Sequence, residues 1–263
     1  MGRGFGIAAA VDNETVKAVA KAAEDAGYSS FWVNDTPGAD GLECLQEAAS
    51  VTNNIMLGVG VIPIGRRPAA SIAEDVKKYD LPQDRLWLGI GSPGPKGALA
   101  NAREAIDTLH DQLECAVVLA ALGPRMVDLS GELADGVLLN WITPAFAATS
   151  RERVEDAARE AGRDAPLIMS YVRAGLLPEA EDEIMVQANR YASVPAYAAH
   201  FERQGVDAHL TVLRGKNPPV LQAGIREFEA ILDESVVRAI TPNDEAGTIL
   251  ELLDACKPGA PGA

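Results

Sequence analysis

The chain has 263 residues, a length that suits one (β/α)8 barrel of about 250 residues or two small domains. Hydrophobic residues make up 48% of the sequence and aromatic residues only 5%, which favours closely packed helices over an all-β fold. The formal net charge is −15 and no stripe of Lys or Arg is visible, so we expect no nucleic-acid partner. No apolar run approaches membrane-spanning length, and we therefore expect no membrane partner and a cytoplasmic location.

The three cysteines, Cys44, Cys115 and Cys256, are widely spaced along the chain. They form neither a CxxC pair nor a pattern typical of metal ligands. We therefore expect isolated reduced thiols and no metal site.

Eight short apolar runs are typical of buried parallel strands. They lie at Gly4–Ala10, Ser30–Asn34, Ile55–Ile62, Arg85–Ile90, Cys115–Leu122, Val137–Trp141, Leu167–Val172 and Val236–Ile240. Helical patterns separate the first seven runs, and after the seventh we predict helices at Glu179–Ala192, Val194–Gln204 and Pro219–Leu232. The segment Val206–Leu213 is compatible with a further short strand. The alternation predicts one (β/α)8 barrel domain over residues 1–263.

The bend between the fifth strand and the next helix is the strongest candidate for an anion site. Gly123 and Pro124 open this helix, and Pro suits the first helical position. The free backbone N–H groups of a helix start attract phosphate, and Arg125 adds a positive charge beside them. An ordinary turn between strand and helix is the alternative.

A second candidate loop follows the fourth strand. Gly89, Gly91 and Gly94 fit the dinucleotide-binding fingerprint by spacing, but Pro93 and Pro95 flank the third glycine. No acidic residue ends a strand about twenty positions later, as that fingerprint requires. We therefore favour a barrel loop whose backbone and Ser92 hydroxyl approach a cofactor, with a plain loop as the alternative.

Two glycines, Gly58 and Gly60, lie inside the third strand, where glycine is unfavourable. Such glycines often mark the close approach of a ligand, or close packing against a neighbouring element. Both interpretations remain open from the sequence.

Polar or aromatic residues end three other strands, where barrel enzymes carry their active sites. Asn34 and Asp35 end the second strand and offer an amide and a carboxylate to a cofactor or substrate, or cap a loop. Asn140 and Trp141 end the sixth, where the indole either walls a cavity or packs at the rim. Tyr171 and Arg173 near the seventh strand and Arg66-Arg67 after the third are weaker candidates.

The three histidines, His110, His200 and His209, do not follow strand ends. We interpret all three as structural. Acid–base chemistry would then come from Asp35, a tyrosine, water or a cofactor.

The stretch Gly123–Trp141, GPRMVDLSGELADGVLLNW, resembles the luciferase-like family of flavin and deazaflavin oxidoreductases, especially members that use coenzyme F420. Similar matches occur in order at Gly27–Asp35, Ile55–Pro63 and Arg85–Ser92. The resemblance covers most of the chain and implies a luciferase-like TIM barrel. The connection between the fourth and fifth strands and the insertion near the seventh are short, so we expect a compact barrel with shortened insertions.

The resemblance also implies the positions of the cofactor and of the catalytic groups. In this family a non-proline cis peptide, here Gly60–Val61, supports the flat ring of the cofactor. Catalytic roles fall on Asn34, Asp35 and Trp141. The implied cofactor contacts are Gly58, Gly60, Val61, Gly91, Ser92, Ala121, Leu122, Gly123, Pro124, Arg125 and Asn140.

One departure from the family concerns members that oxidise sugar phosphates. Those members carry a His directly after the Asp and a Glu in the loop after the fourth strand. Here Thr36 and Gly94 or a close neighbour hold these places. The resemblance therefore argues against sugar-phosphate oxidation.

Together these features predict an oxidoreductase that transfers hydride between F420 and an unidentified small organic substrate. An FMN-dependent monooxygenase on the same fold, or a barrel that binds flavin without turnover, is the alternative. Dimers are common in the family, so we expect a possible homodimer. The substrate itself is not predictable, because loops supply the pocket walls.

Overall fold

Eight parallel strands close into a barrel in the computed structural model, which describes residues 1–92 and 97–259. The nine strands of this part of the chain are β1 (Gly2–Ile7), β2 (Ser30–Val33), β3 (Met56–Pro63), β4 (Leu86–Gly91), β5 (Ala116–Ala120), β6 (Gly136–Asn140), β7 (Leu167–Leu176), β8 (Leu213–Gly215) and β9 (Glu234–Ala239). Strands β1 to β7 pair in sequence, and β9 pairs with both β7 and β1. The predicted (β/α)8 barrel is therefore confirmed.

Helices cover the outside of the barrel. In the described residues they are α1 (Asn13–Asp25), α2 (Gly41–Ala49), α3 (Ala69–Lys78), α4 (Ala98–Gln112), α5 (Pro124–Leu133), α6 (Pro144–Glu160), α7 (Glu181–Ala192), α8 (Pro195–Gln204), α9 (Pro218–Glu229) and α10 (Ala246–Cys256). The Asp12 side chain accepts from the Thr15 amide at the start of α1, and Pro opens α5 and α6. None of these helices is long and apolar enough to cross a bilayer.

The segment between β7 and β9 differs in one respect from the sequence prediction. Residues Ala208–Thr211, inside the predicted strand Val206–Leu213, form a short 3-10 helix. The strand begins only at Leu213 and pairs with Ala174–Leu176, where β7 continues beyond the ring. β8 is thus an external strand, and β9 is the eighth strand of the barrel.

Side chains fill the barrel interior in layers, because alternate residues of each strand point inward. One layer is apolar and aromatic and consists of Trp32, Val118, Leu138, Met169, Tyr171 and Val236. Two residues further along β2, β6, β7 and β9 lie Asn34, Asn140, Arg173 and Arg238. The interior therefore changes from apolar to polar toward the carboxyl ends of the strands.

The opposite end of the barrel is closed by a buried carboxylate. Glu234 is 4% exposed and accepts hydrogen bonds from Ser29, at 2.6 Å, and from Ser30. Burial raises the pKa of this carboxyl group, and the serine hydroxyls oppose the rise. We assign this network to fold stability, since the active sites of barrel enzymes lie at the other end.

Candidate functional site

Asn34 and Gly60 form the centre of the polar layer at the barrel mouth. The Asn34 side-chain amide donates to the carbonyl oxygen of Gly60, and the Tyr171 hydroxyl donates to the same oxygen at 3.2 Å. Arg238 donates from Nε to Asn34 Oδ1 at 2.7 Å. Strands β2, β3, β7 and β9 are thus joined by one hydrogen-bonded network.

The Gly60–Val61 peptide bond is cis, as the family resemblance implied. A side chain is excluded at position 60, because a methyl group there would lie 2.2 Å from the Tyr171 hydroxyl oxygen. Val61 packs beside the end of β4, since a methyl group on Gly91 would lie 2.8 Å from Val61 Cγ2. The structure therefore brings Asn34, Gly60, Val61 and Gly91 together.

Asp35 is held in an ion-pair cluster. Its side chain is fully buried and contacts the guanidinium of Arg66 at Oδ1. Arg67 lies 3.2 Å from Oδ2, which also accepts from the Gly41 amide at 3.1 Å. Both carboxylate oxygens are thus engaged by the protein itself, so the geometry favours loop positioning over the predicted acid–base role.

The bend before α5 lies at the mouth with an accessible positive charge. The amides of Gly123 and Arg125 make no hydrogen bond to the part of the chain that the structure describes. A methyl group on Gly123 would meet no atom within 4 Å. Arg125 is exposed and forms no ion pair with the described residues. This end of the helix is open to an anion.

Ser92 follows the neighbouring strand, β4. Its hydroxyl oxygen is buried and lacks a hydrogen-bond partner among residues 1–92 and 97–259. Strands β4 and β5 pair in register at Ile90 and Leu119, so Ser92 and the Gly123 bend follow adjacent strand ends. The third glycine of the dinucleotide fingerprint, Gly94, lies outside the described residues, and the closed barrel rules out the Rossmann alternative.

Arg173 lies between two aromatic rings at the mouth. Its guanidinium carbon is 4.3 Å from the ring centroid of Trp141 and 4.9 Å from that of Tyr191. Arg173 Nε also donates to Asn140 Oδ1 at 3.3 Å. Trp141 is buried at the rim, as in the packing alternative, and its indole nitrogen has no partner in the described residues.

Tyr191 is the one titratable phenol here whose pKa falls. Burial opposes this, but the charges of Arg173 and Arg238 outweigh it and lower the pKa of Tyr191. In contrast, burial raises the pKa of Tyr197, the neighbouring phenol, to about 12. Tyr191 therefore lies in a strongly positive part of the mouth.

Helix α8 is fastened to the rim through backbone carbonyl groups. His200 is 2% exposed and its two ring nitrogens lie 3.1 Å from the carbonyl oxygens of Leu122 and Trp141. Burial, followed by the charge of Arg203, lowers the pKa of His200. Gln204 donates to the Trp141 carbonyl at 2.8 Å. His200 is thus structural, in agreement with the sequence interpretation.

Two predicted cofactor contacts take packing positions. The place of a methyl group on Gly58 is filled by the Trp32 ring, at 2.2 to 2.4 Å, which favours the packing alternative left open by the sequence. Ala121 is buried and its amide donates to the Leu138 carbonyl at 3.2 Å. The roles of the other predicted site residues remain predictions.

Sequence reasoning missed Arg238 and Tyr191. The signal for Arg238 was available, because an arginine interrupts the apolar run Val236–Ile240 at an inward-facing position. Tyr191 gave no comparable signal. It comes from α7, and only the packing of that helix on the mouth places its phenol there.

Comparisons with known proteins agree with this geometry. A sequence model described as luciferase-like monooxygenase matches residues 4–114 and 108–248. A 5,10-methylenetetrahydromethanopterin reductase from Methanolobus tindarius is 27% identical over 55% of this chain and 56% of that protein. Its counterpart from Methanopyrus kandleri is 22% identical over 95% of this chain and 88% of that protein. The first match thus spans little more than half of the relative's length.

Three solved structures share the fold. The coenzyme F420 dependent tetrahydromethanopterin reductase from Methanopyrus kandleri has a TM-score of 0.75 at 19% identity, covering 96% of both chains. An F420-dependent secondary alcohol dehydrogenase with an F420-acetone adduct also has a TM-score of 0.75, at 15% identity, covering 98% of this chain and 100% of that chain. The oxygenating constituent of 3,6-diketocamphane monooxygenase from Pseudomonas putida, with FMN, has a TM-score of 0.69 at 12% identity, covering 98% of this chain and 97% of that chain.

Proposed function

Because this chain belongs to the luciferase-like monooxygenase family, we propose that it transfers hydride between coenzyme F420 and a small organic substrate at the barrel mouth. The chain is an enzyme of the oxidoreductase type, and its cofactor is a flavin or a deazaflavin. The choice of F420 is supported by the resemblance of Gly123–Trp141 to F420-dependent members. The F420-dependent reductase and the F420-dependent alcohol dehydrogenase, which share the fold, support the same choice.

One observation carries the proposal: an open anion site, whose Arg125 forms no ion pair with the described residues, follows the strand next to β4 and its glycines. The Gly123 and Arg125 amides and the exposed Arg125 guanidinium are available at the start of α5. The buried Ser92 hydroxyl, which lacks a partner among the described residues, follows the adjacent strand. These groups fit the phosphate of a nucleotide-like cofactor.

In this proposal the flat ring of the cofactor lies against the Gly60–Val61 bond. No side chain protrudes from Gly60 or Gly91, and the Gly60 carbonyl is fixed by Asn34 and Tyr171. When bound, F420 supplies a ring carbon that accepts or donates hydride. The residues of this chain would orient that ring and exclude water, with α8 and Trp141 covering one side.

A proton must move with the hydride when a carbonyl and an alcohol interconvert. Asp35 is tied to Arg66 and Arg67, so Tyr191 is the better candidate to hold this proton. Arg173 Nη2 lies 3.5 Å from its hydroxyl. The positive surroundings lower the pKa of Tyr191 and so favour its phenolate form. The phenolate can accept a proton from the substrate, and the phenol can return it.

The FMN alternative is supported by the FMN-bound monooxygenase with the same fold. Titration separates the alternatives: purified protein is mixed with F420 or with FMN, and binding is read from fluorescence quenching. We expect saturable F420 binding that is tighter than FMN binding, followed by reduction or reoxidation of F420 with a panel of alcohols, ketones and imines. Tighter binding of FMN than of F420 would reject the F420 proposal and favour the FMN-dependent monooxygenase.

The matched variants are Arg125→Gln and Arg159→Gln. Arg125→Gln removes the charge beside the phosphate position, and we expect F420 affinity to fall about tenfold, or about 1.4 kcal/mol. Arg159 is exposed on α6 and pairs only with Asp156, so its substitution should leave affinity unchanged. Binding of neither cofactor would reject the proposal, and F420 binding without any turnover would favour the non-catalytic alternative.

A further inference from the structure

Two arginines face each other on adjacent strands at the barrel mouth. Arg173 on β7 and Arg238 on β9 are register partners, so their backbones lie side by side. Both follow inward-facing residues by two positions, Tyr171 and Val236, and both point into the interior. They are 3% and 7% exposed. Two positive charges are therefore buried next to each other.

Neither guanidinium contacts a carboxylate of the described residues, although Asp244 is near enough for its charge to raise the pKa of Arg238. No ion pair joins Arg173 or Arg238 to any residue that the structure describes, and the two undescribed stretches, residues 93–96 and 260–263, contain no Asp or Glu. Their hydrogen-bond partners are Asn140, Gln187 and, at 3.5 Å, the Tyr191 hydroxyl for Arg173, and Asn34 and the Ala239 carbonyl for Arg238. These bonds orient the two side chains without neutralising their charge.

Arg238 remains charged at neutral pH. Burial, followed by the charge of Arg173, lowers the pKa of Arg238 to about 10, which still lies well above neutrality. The effect on the neighbouring phenol supports this view, since Arg173 and Arg238 lower the pKa of Tyr191 against the effect of its burial. A buried charge without a counter-ion is unfavourable, and two adjacent like charges are more so. Such an arrangement is expected where a ligand supplies the missing negative charge.

We propose that Arg173 and Arg238 bind an oxyanion group, a carboxylate or a phosphate, on the substrate. The guanidinium group suits this role, since its planar fork matches the geometry of both anions. Trp141 and Tyr191 hold the Arg173 plane between their rings. The inference that the anion belongs to the substrate rests on the proposed function.

The position of the pair separates it from the cofactor phosphate. The open helix start at Gly123 and the Ser92 hydroxyl follow β5 and β4, whereas the arginines lie on β7 and β9. In the closed ring, β9 is four strands away from β4. β7 is only two strands away from β5, so the two anion sites are distinguished by the strands that carry them, and the Gly60–Val61 bond lies on β3. An anionic substrate would be anchored by strands other than the two that precede the cofactor phosphate site.

The test measures anion binding to the protein without cofactor. Thermal unfolding is followed with increasing malonate or inorganic phosphate, against sodium chloride at matched ionic strength. We expect malonate, phosphate or both to raise the melting temperature of the wild type. Because the open helix start beside Arg125 also binds anions, Arg173→Gln and Arg238→Gln should each remove the larger part of this increase and Arg125→Gln the smaller part, whereas the exposed-charge control Arg226→Gln should retain all of it. The preferred anion distinguishes a carboxylate substrate from a phosphorylated one.

Lysine variants keep the test decisive if a glutamine variant does not fold. Arg173→Lys and Arg238→Lys retain the charge and lose the bidentate fork, so we expect at least a tenfold weaker anion affinity. Equal stabilisation of all variants, loss of the effect in Arg125→Gln alone, or no stabilisation of the wild type would overturn the inference.

A separate F420 titration distinguishes failure of the inference from failure of the proposed function. We expect Arg173→Gln to bind F420 within about threefold of the wild type. A tenfold loss of F420 affinity in both glutamine variants would assign the pair to the cofactor and reject a substrate role. If the wild type bound neither F420 nor FMN but kept its anion effect, the proposed function would fail while the oxyanion site itself remained.

Discussion

At the scale of single residues, the mouth depends on positions where a side chain would be in the way. Gly60 is the clearest example, because its carbonyl must accept from Asn34 and Tyr171 while its α-carbon lies against both β6 and β7 side chains. The methyl group of an alanine there would lie 2.2 Å from the Tyr171 hydroxyl oxygen and 2.8 Å from Leu138 Cδ2. Both neighbours are buried and have little room to move.

Gly60→Ala should therefore lower both stability and cofactor affinity. We expect a loss of about 1–3 kcal/mol in the free energy of unfolding, the usual effect of overpacking a buried site. Urea denaturation measures it, and the F420 titration measures the loss of binding. Gly247→Ala is the matched control, because a methyl group there meets no atom within 4 Å. A Gly60→Ala protein as stable as the control would contradict the packing described here.

Glu234 provides a prediction about pH. Burial raises the pKa of this group above its ordinary value of 4.5, so the folded protein binds the proton more tightly than the unfolded chain. Its contribution to stability is therefore present at low pH and is lost as the pH rises through the folded pKa. Glu234→Gln should gain stability relative to the wild type as the pH increases.

Melting temperatures at about pH 4 and about pH 7.5 test this sign. The difference between Glu234→Gln and the wild type should be more positive at the higher pH. Glu227→Gln, which changes an exposed glutamate on α9, should show no such trend. A difference that shrinks with rising pH would show that the carboxylate form is the stabilising one.

Individual site residues were only partly predictable. Asn34, Gly60 and Asn140 were identified because they follow or interrupt apolar runs that read as strands. The ion pairs of Asp35 with Arg66 and Arg67 were not predicted, because a contact between two loops depends on how β2 and β3 pair. The sequence shows which residues end strands, but not which of their partners meet across the mouth.

At the scale of elements, α8 acts as a clamp on the rim between β5 and β6. The side chains of His200, Arg203 and Gln204 reach the carbonyl groups of Leu122, Asn140 and Trp141. The clamp lies directly over the Gly123 bend, because both His200 and Arg203 bind the Leu122 carbonyl. Its order should therefore influence the anion site.

His200→Leu should loosen this helix without unfolding the barrel. The substitution removes the hydrogen bond that His200 makes to the rim, while Arg203 and Gln204 still reach the Leu122 and Trp141 carbonyl groups, so we expect a cost of about 1 kcal/mol. Hydrogen exchange should become faster in α8 and at the start of α5, and remain unchanged in β1 to β3. His209→Leu is the control, since His209 makes no hydrogen bond to the described residues. If hydrogen exchange in α8 and at the start of α5 were the same in His200→Leu and His209→Leu, His200 would not hold α8 on the rim.

The barrel elements were predictable and the external strand was not. Each ring strand is an apolar run with clear boundaries, and each predicted helix after β7 lies within a few residues of its observed position. β8 has only three residues, Leu213–Gly215, and neither alternation nor length marks it. It forms because β7 continues past the ring and offers an edge at Ala174–Leu176.

At the scale of the whole molecule, helices and strands enclose all three thiols. Burial raises the pKa of Cys44 to about 11 and those of Cys115 and Cys256 to about 12. The reactive thiolate is therefore scarce at neutral pH. We expect Ellman's reagent to react slowly with the native protein and with three thiols after denaturation. Rapid modification of one thiol in the native state would show local opening of the helical layer around it.

The three tryptophans lie in different parts of the barrel. Trp32 and Trp87 face each other in the interior with ring centroids 5.8 Å apart, whereas Trp141 lies at the rim against the Arg173 guanidinium. Any event that moves or neutralises Arg173 changes the electric field at one indole and leaves the other two nearly undisturbed. The protein thus contains a native optical reporter of its own entrance, whose emission wavelength can follow entry of a colourless compound without an attached dye.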